Sequence, residues 1–141
     1  MIPSAPSQAQ ATHLQTSSRL CGEPLAIAPG EARVRLLAVA EMAVDEHQLV
    51  HGGFVFGLAD YAAMLAVNHP NVVLGGAEVR FRAPVRVGEE LLAVARLEGE
   101  EGRKRRVQVT VERGGEEVLS GLFTCFVLER HVLAPAAGEG A

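Results

Sequence analysis

Hydrophobic and polar positions along the chain follow two periods. The stretch 51–68, HGGFVFGLADYAAMLAVN, is apolar almost throughout and free of proline until Asn68-His69-Pro70 stops it, which predicts a helix of about four to five turns. Stepping about 100° per residue, Phe54, Leu58, Tyr61, Ala62 and Leu65 form one stripe, and Phe56, Asp60, Ala63, Met64 and Val67 the opposite one. A helix that is apolar on all sides is normally buried on all sides. One stripe can rest on a sheet of the same chain. The other needs a further cover, most simply a second copy, since each large apolar side chain left in water forgoes about 1.5–3 kcal/mol.

Elsewhere the period shortens to two. Residues 25–39 read as strand, with Gly30 turning into a piece where Arg33 and Arg35 face one way and Val34 and Leu36 the other. Residues 72–85, 90–98, 106–112 and 117–128 read as four more extended segments, with EEGRK (100–104) and Gly114-Gly115 as turns. Residues 10–20 predict a short helix anchored by Leu14 and Leu20 and ended by Gly22 and Pro24. Strand, long helix, then four strands is an α+β layout in which consecutive antiparallel strands wrap a single helix. The ends, rich in Pro, Ala, Ser, Gln and Gly, read as tails: 1–19 with the short helix, then one domain over 20–130, then 131–141.

Composition narrows the functional classes. With 141 residues, 48% of them hydrophobic, the chain fills one core and no second domain. A net charge of -4 argues against a nucleic-acid binder working through a broad basic face. Two cysteines, Cys21 and Cys125, suggest neither a disulfide framework nor metal-ligand spacing and read as small core residues. The first 18 residues lack the basic start and apolar run of a signal peptide, and no stretch reaches the roughly 20 apolar residues that span a bilayer. A soluble cytoplasmic protein is expected.

Asp60 is the only charge in 52–67 and sits in the middle of the second apolar stripe. A carboxylate there costs several kcal/mol unless paired, hydrogen-bonded or protonated. It is either a structural group capping a backbone turn across an interface, or an acid/base or nucleophilic carboxylate whose pKa desolvation raises.

The segment HQLVHGGFVFGLAD (47–60) is similar to the signature of hotdog-fold acyl-CoA thioesterases of the phenylacetate-degradation, PaaI-like, type. Phe81-Arg82-Ala83-Pro84 followed by Gly88-Glu89 resembles that family's strand end and turn, and the order of elements fits a hotdog fold with a long helix wrapped by a five- or six-stranded antiparallel sheet. The resemblance implies hydrolysis of an acyl-CoA thioester, with Asp60 as general base on water or as nucleophile, and the Gly52 backbone N–H polarising the carbonyl. His51 either fixes the HGG turn or touches substrate. Gly53, Asp45, Gln48, Phe56, Met64 and Arg82 are the expected substrate-binding residues, with His47 a support. No metal is implied, and a zinc site from His47 and His51 would need both on one helix, which the glycines oppose. Coenzyme A enters only as part of the substrate, so no separate cofactor is expected. Its phosphates would meet Arg103-Lys104-Arg105-Arg106, or Arg80, Arg82 and Arg86.

The Gly52 amide and Asp60 are eight residues, a little over two turns, apart on one helix. The resemblance therefore implies sites shared across a homodimer, or a dimer of dimers, with no nucleic-acid or membrane partner. One position departs from the family's pattern: Asp45 stands where Asn or Gln is common, and an ionised carboxylate can only accept hydrogen bonds. This keeps a non-hydrolysing acyl-CoA-binding or regulatory module as the alternative to the enzyme.

Overall fold

The structure, a computed structural model, describes residues 8–135. Six strands and one long helix dominate it: β1 (Glu23–Ala28), β2 (Glu31–Leu37), α2 (Gly52–Val67), β3 (Val72–Phe81), β4 (Glu90–Glu101), β5 (Lys104–Arg113) and β6 (Glu116–Val127). One helical turn, α1 (Ser18–Cys21), precedes β1, and a 3-10 turn (Ala40–Met42) follows β2. The strands form a single antiparallel sheet in the order β1-β2-β4-β5-β6-β3.

The alternation read from sequence survives as burial. Val34 and Leu36 of β2, Ala93 and Ala95 of β4, Val107, Val109 and Val111 of β5, and Leu119, Phe123 and Cys125 of β6 are all buried and form one core with α2. The sheet curves around the helix, which is the hotdog arrangement. The turn residues behave as their chemistry demands. Gly114 and Gly115 take φ of 54° and 88°, the doubly positive pair a tight hairpin requires. Cys21 and Cys125 are both free thiols.

Three sequence expectations need correction. The helix over 10–20 shrinks to Ser18–Cys21, capped by the Ser17 side chain, which accepts from Leu20 N–H at 3.2 Å. Residues 8–12 are held instead by α2: Asn68 Oδ1 accepts from Ala11 N–H at 2.8 Å, Asn68 Nδ2 donates to Ala9 C=O at 2.9 Å, and Gln10 donates to the Tyr61 hydroxyl at 3.0 Å. The turn assigned to EEGRK narrows to Gly102-Arg103, because Glu100 and Glu101 continue β4 and Lys104 already belongs to β5. Ala63 and Met64, assigned to the stripe awaiting a partner, are 0% and 1% exposed within their own chain, because sheet and N-terminal segment together enclose the C-terminal half of α2. Residues 1–7 and 136–141, read as tail ends, lie outside the described residues.

The helix stops as expected. Asn68 takes the left-handed conformation (φ 51°, ψ 48°) and donates its N–H to Met64 C=O at 2.8 Å. Among the described residues no helix is long and apolar enough to cross a membrane.

Candidate active site

The connector before α2 is a closed turn built on Asp45. One carboxylate oxygen accepts N–H from His47 at 2.9 Å and Leu49 at 3.3 Å, while Gln48 N–H donates to Asp45 C=O at 3.2 Å. Gln48 itself sits at φ 69° and is exposed. Val50 N–H to Val85 C=O and His51 N–H to Met42 C=O anchor the turn to the body. Bracing two backbone donors requires acceptance only, which a carboxylate supplies as an amide oxygen would, so the departure at Asp45 leaves the turn intact.

His51 is the residue that caps α2 at its start, in extended conformation, and its side chain makes no capping hydrogen bond. Its ring stands edge-on to Phe54, with centroids 6.2 Å apart, and covers Gly53, where an added Cβ would lie 3.1 Å from Nε2. On the other side the ring of Phe81 approaches Gly52, 3.3 Å from an added Cβ there. The helix therefore begins with N–H groups that no side chain caps, at the positive end of its dipole, and with no Cβ to hold off an approaching oxygen.

Asp60 lies on the outward stripe of the same helix. Its Oδ1 is wholly buried and has no hydrogen-bond partner among the described residues, and burial pushes its pKa from 3.8 up to about 6. The thiol of Cys125 is pushed up to about 12, by its own burial first and by the Asp60 charge second. An orphaned carboxylate oxygen is a destabilising choice that most buried polar groups avoid. Gly52 and Asp60 are eight residues apart, about 12 Å along the axis at 1.5 Å per residue, so one chain does not bring them to a common carbonyl.

The other expected residues divide. Phe56 is half-buried with its ring packed on Phe123, centroids 5.4 Å apart, whereas Met64 is sealed in the core. Arg82 is held by Ser120 Oγ at 3.0 Å and Glu117 at 2.7 Å. In the basic run, Arg103 pairs with Glu129 and Arg105 with Glu100, each at 3.1 Å, so half of that charge is internally neutralised. An open cleft of about 650 Å³ beside the connector is lined by Asp45, His47, Leu49, Pro84, Arg86 and Glu89 among others.

Sequence reasoning missed Phe81 and the inner face of β3. In the β3–β6 register Ala77 opposes Phe123, Val79 opposes Gly121 and Phe81 opposes Leu119, so all three share the helix side of the sheet. Yet Ala77 is exposed and Phe81 is 55% exposed, on a strand whose other edge has no neighbouring strand among the described residues. The period-two pattern of AEVRF was visible in the sequence; that the helix leaves this end of the strand uncovered was not.

Comparison with known proteins agrees with this fold. The thioesterase superfamily model matches residues 47–120, from the Asp45 turn into β6. The uncharacterized protein PH1136 from Pyrococcus horikoshii superposes with a TM-score of 0.89 at 57% identity, covering 90% of this chain and 98% of that one. A mutant of the phenylacetic acid degradation protein PaaI from Thermus thermophilus superposes with a TM-score of 0.72 at 32% identity, over 77% of this chain and 95% of that one. Among curated proteins, 119 residues are 47% identical to methylthioribose-1-phosphate isomerase of Aquifex aeolicus (strain VF5), matching 84% of this chain but 26% of the isomerase. Transcription factor FapR of Caldanaerobacter subterraneus subsp. tengcongensis is 26% identical over 82% of this chain and 58% of its own length. The chain thus spans about a quarter of one curated relative and under two thirds of the other. The matched signature, the sheet order and the superpositions together place the chain in the thioesterase superfamily, as a hotdog-fold member of the PaaI-like type.

Proposed function

We propose that the protein hydrolyses an acyl-CoA thioester at sites shared between two copies of the chain. The observation that carries the reading is the orphaned Asp60 carboxyl, half-sequestered on a helix whose neighbouring copy would offer uncapped N–H groups. With a pKa of about 6 it is ionised at neutral pH but more basic than a free carboxylate, the property a general base needs. Asp60 of one subunit takes a proton from water as the water oxygen bonds to the thioester carbon. The oxyanion is held by the Gly52 N–H of the other subunit, and collapse of the adduct expels the thiolate of coenzyme A. Direct attack by the carboxylate, with hydrolysis of the resulting anhydride, uses the same groups. His51 and the Asp45 turn hold the start of α2 in place. Arg86, which lines the cleft beside that turn, is the cation assigned here to the phosphates; Arg82, Arg103 and Arg105 already hold carboxylates.

The similarity to a transcription factor, FapR, favours the regulatory side of a second reading, a module that holds acyl-CoA without cleaving it. A thiol-release assay over short, long and aryl acyl-CoAs separates the two. The enzyme reading expects release from at least one of them and a loss of about 10²- to 10⁴-fold in Asp60→Asn. Binding by thermal shift with no thiol released from any of them would establish the module instead.

A further inference from the structure

Past its first turn, α2 keeps four residues partly exposed: Phe56, Gly57, Asp60 and Val67. At about 100° per residue they fall on one stripe, which Gly53 continues toward the helix start. Beyond Asp60 the stripe closes at Ala63 and Met64, buried by their own chain, and reopens only at Val67, the last residue of the helix. The open part of the helix is therefore its N-terminal half, centred between Gly53 and Asp60. Phe56, the other residue near that centre, turns its ring onto Phe123 of its own sheet. An added Cβ on Gly57 would meet nothing within 4 Å, so backbone with open space in front of it is what the centre presents.

We infer that Gly57 is where the central helices of two copies cross at a two-fold axis, and that its missing side chain sets how far each Gly52 amide stands from the partner's Asp60. The inference rests on the shared-site reading and adds a position to it. If Gly52 of one helix serves the same carbonyl as Asp60 of the other, the two-fold passes near the midpoint of 52 and 60, residue 56. The exposed stripe locates the same point without reference to chemistry. The inner face of β3 at Ala77, Val79 and Phe81, left open beside this half of the helix, is the remainder of the seat for the second copy. Helices ordinarily pack 8–10 Å apart according to the side chains between them, and a glycine at the contact permits the short end of that range or less. Misplacing reacting groups by about 1 Å costs on the order of 10²-fold in rate. Gly57 is thus a positioning residue: it touches no substrate.

The test uses the full chain in a Cys21→Ser, Cys125→Ser background. A Gly57→Cys variant is expected to form a disulfide-linked dimer under mild oxidant, since a disulfide needs Cα atoms about 4.4–6.8 Å apart, while Val67→Cys, displaced along the helix, stays monomeric on a non-reducing gel. In parallel, Gly57→Ala and Gly57→Leu are assayed for thiol release. Alanine favours the helix, so Gly57→Ala should melt no lower than wild type yet turn over several-fold more slowly, and Gly57→Leu at least 10²-fold more slowly. Absence of the Gly57→Cys cross-link in a protein that runs as a dimer, or an unchanged rate in Gly57→Leu, overturns the inference. If wild type releases no thiol at all, the hydrolytic reading fails, and the cross-link alone still decides the crossing point.

Discussion

A folded carboxyl with a pKa near 6 makes Asp60, the proposed base, a stability liability. Raised above its unfolded value of 3.8, it binds a proton more readily folded than unfolded, so the folded state loses stability as pH rises from about 4 to 6 and carries the full cost above that. Asp60→Asn should therefore raise stability by about 2 kcal/mol at pH 8, after allowance for the partial exposure of the group, with the gain vanishing toward pH 4. Denaturant titrations at the two pH values check this; a gain that does not change with pH would contradict it. The same ionisation should appear as a rise of kcat/KM through pH 6 in the wild type. Asp45 behaves differently. Its oxygen accepts two N–H groups, a task Asn performs equally well, so Asp45→Asn should be near neutral and Asp45→Ala should cost about 1 kcal/mol in the same titrations.

At the scale of elements, β3 and β6 are fitted to each other through glycine. A Cβ on Gly121 would sit 2.6 Å from Glu78 C=O and 2.5 Å from Val79 Cγ1, and backbone cannot retreat from it without breaking the ladder. Gly121→Ala should cost about 2–3 kcal/mol by overpacking and lost pairing, measured as a lowered denaturation midpoint; an unchanged midpoint would mean that the two strands separate easily. Periodicity made these strands legible, since inward residues such as Val107, Val109 and Val111 alternate without interruption. The helix was legible from its apolar run and its Asn68 stop. The placement of Gln10 and Ala11 was not, because they bond to Tyr61 and Asn68, more than 50 positions away in sequence, and no local signal encodes such partners.

For the whole molecule, the candidate site was legible as far as its chemistry and no further. Asp60 stood out as the one charge on an apolar face, and the HGG turn as the start of the helix. The sequence overstated what that face leaves open, because it treated all of α2 as equally covered by the sheet, whereas the molecule seals Met64 and opens Gly57. Phe81 was read only as part of a strand end, since inward strand residues are ordinarily buried, and only the end of the sheet reveals that this one is not. On the proposed reading the Gly52 amide and Asp60, about 12 Å apart on one helix, are two half-sites, each completed by a second copy.

Subunit mixing tests that claim most directly. Gly52→Pro removes the amide donor while respecting the helix start, where proline is well tolerated and His51 already has the extended conformation that precedes proline. Asp60→Asn and Gly52→Pro should each be nearly inactive alone. Co-refolded in equal amounts, they should recover about a quarter of the wild-type thiol-release rate, since half the dimers are mixed and each mixed dimer holds one intact site of two. A mixture no faster than its parents, with mixed dimers demonstrably formed, would mean that Asp60 and Gly52 do not meet across the subunits.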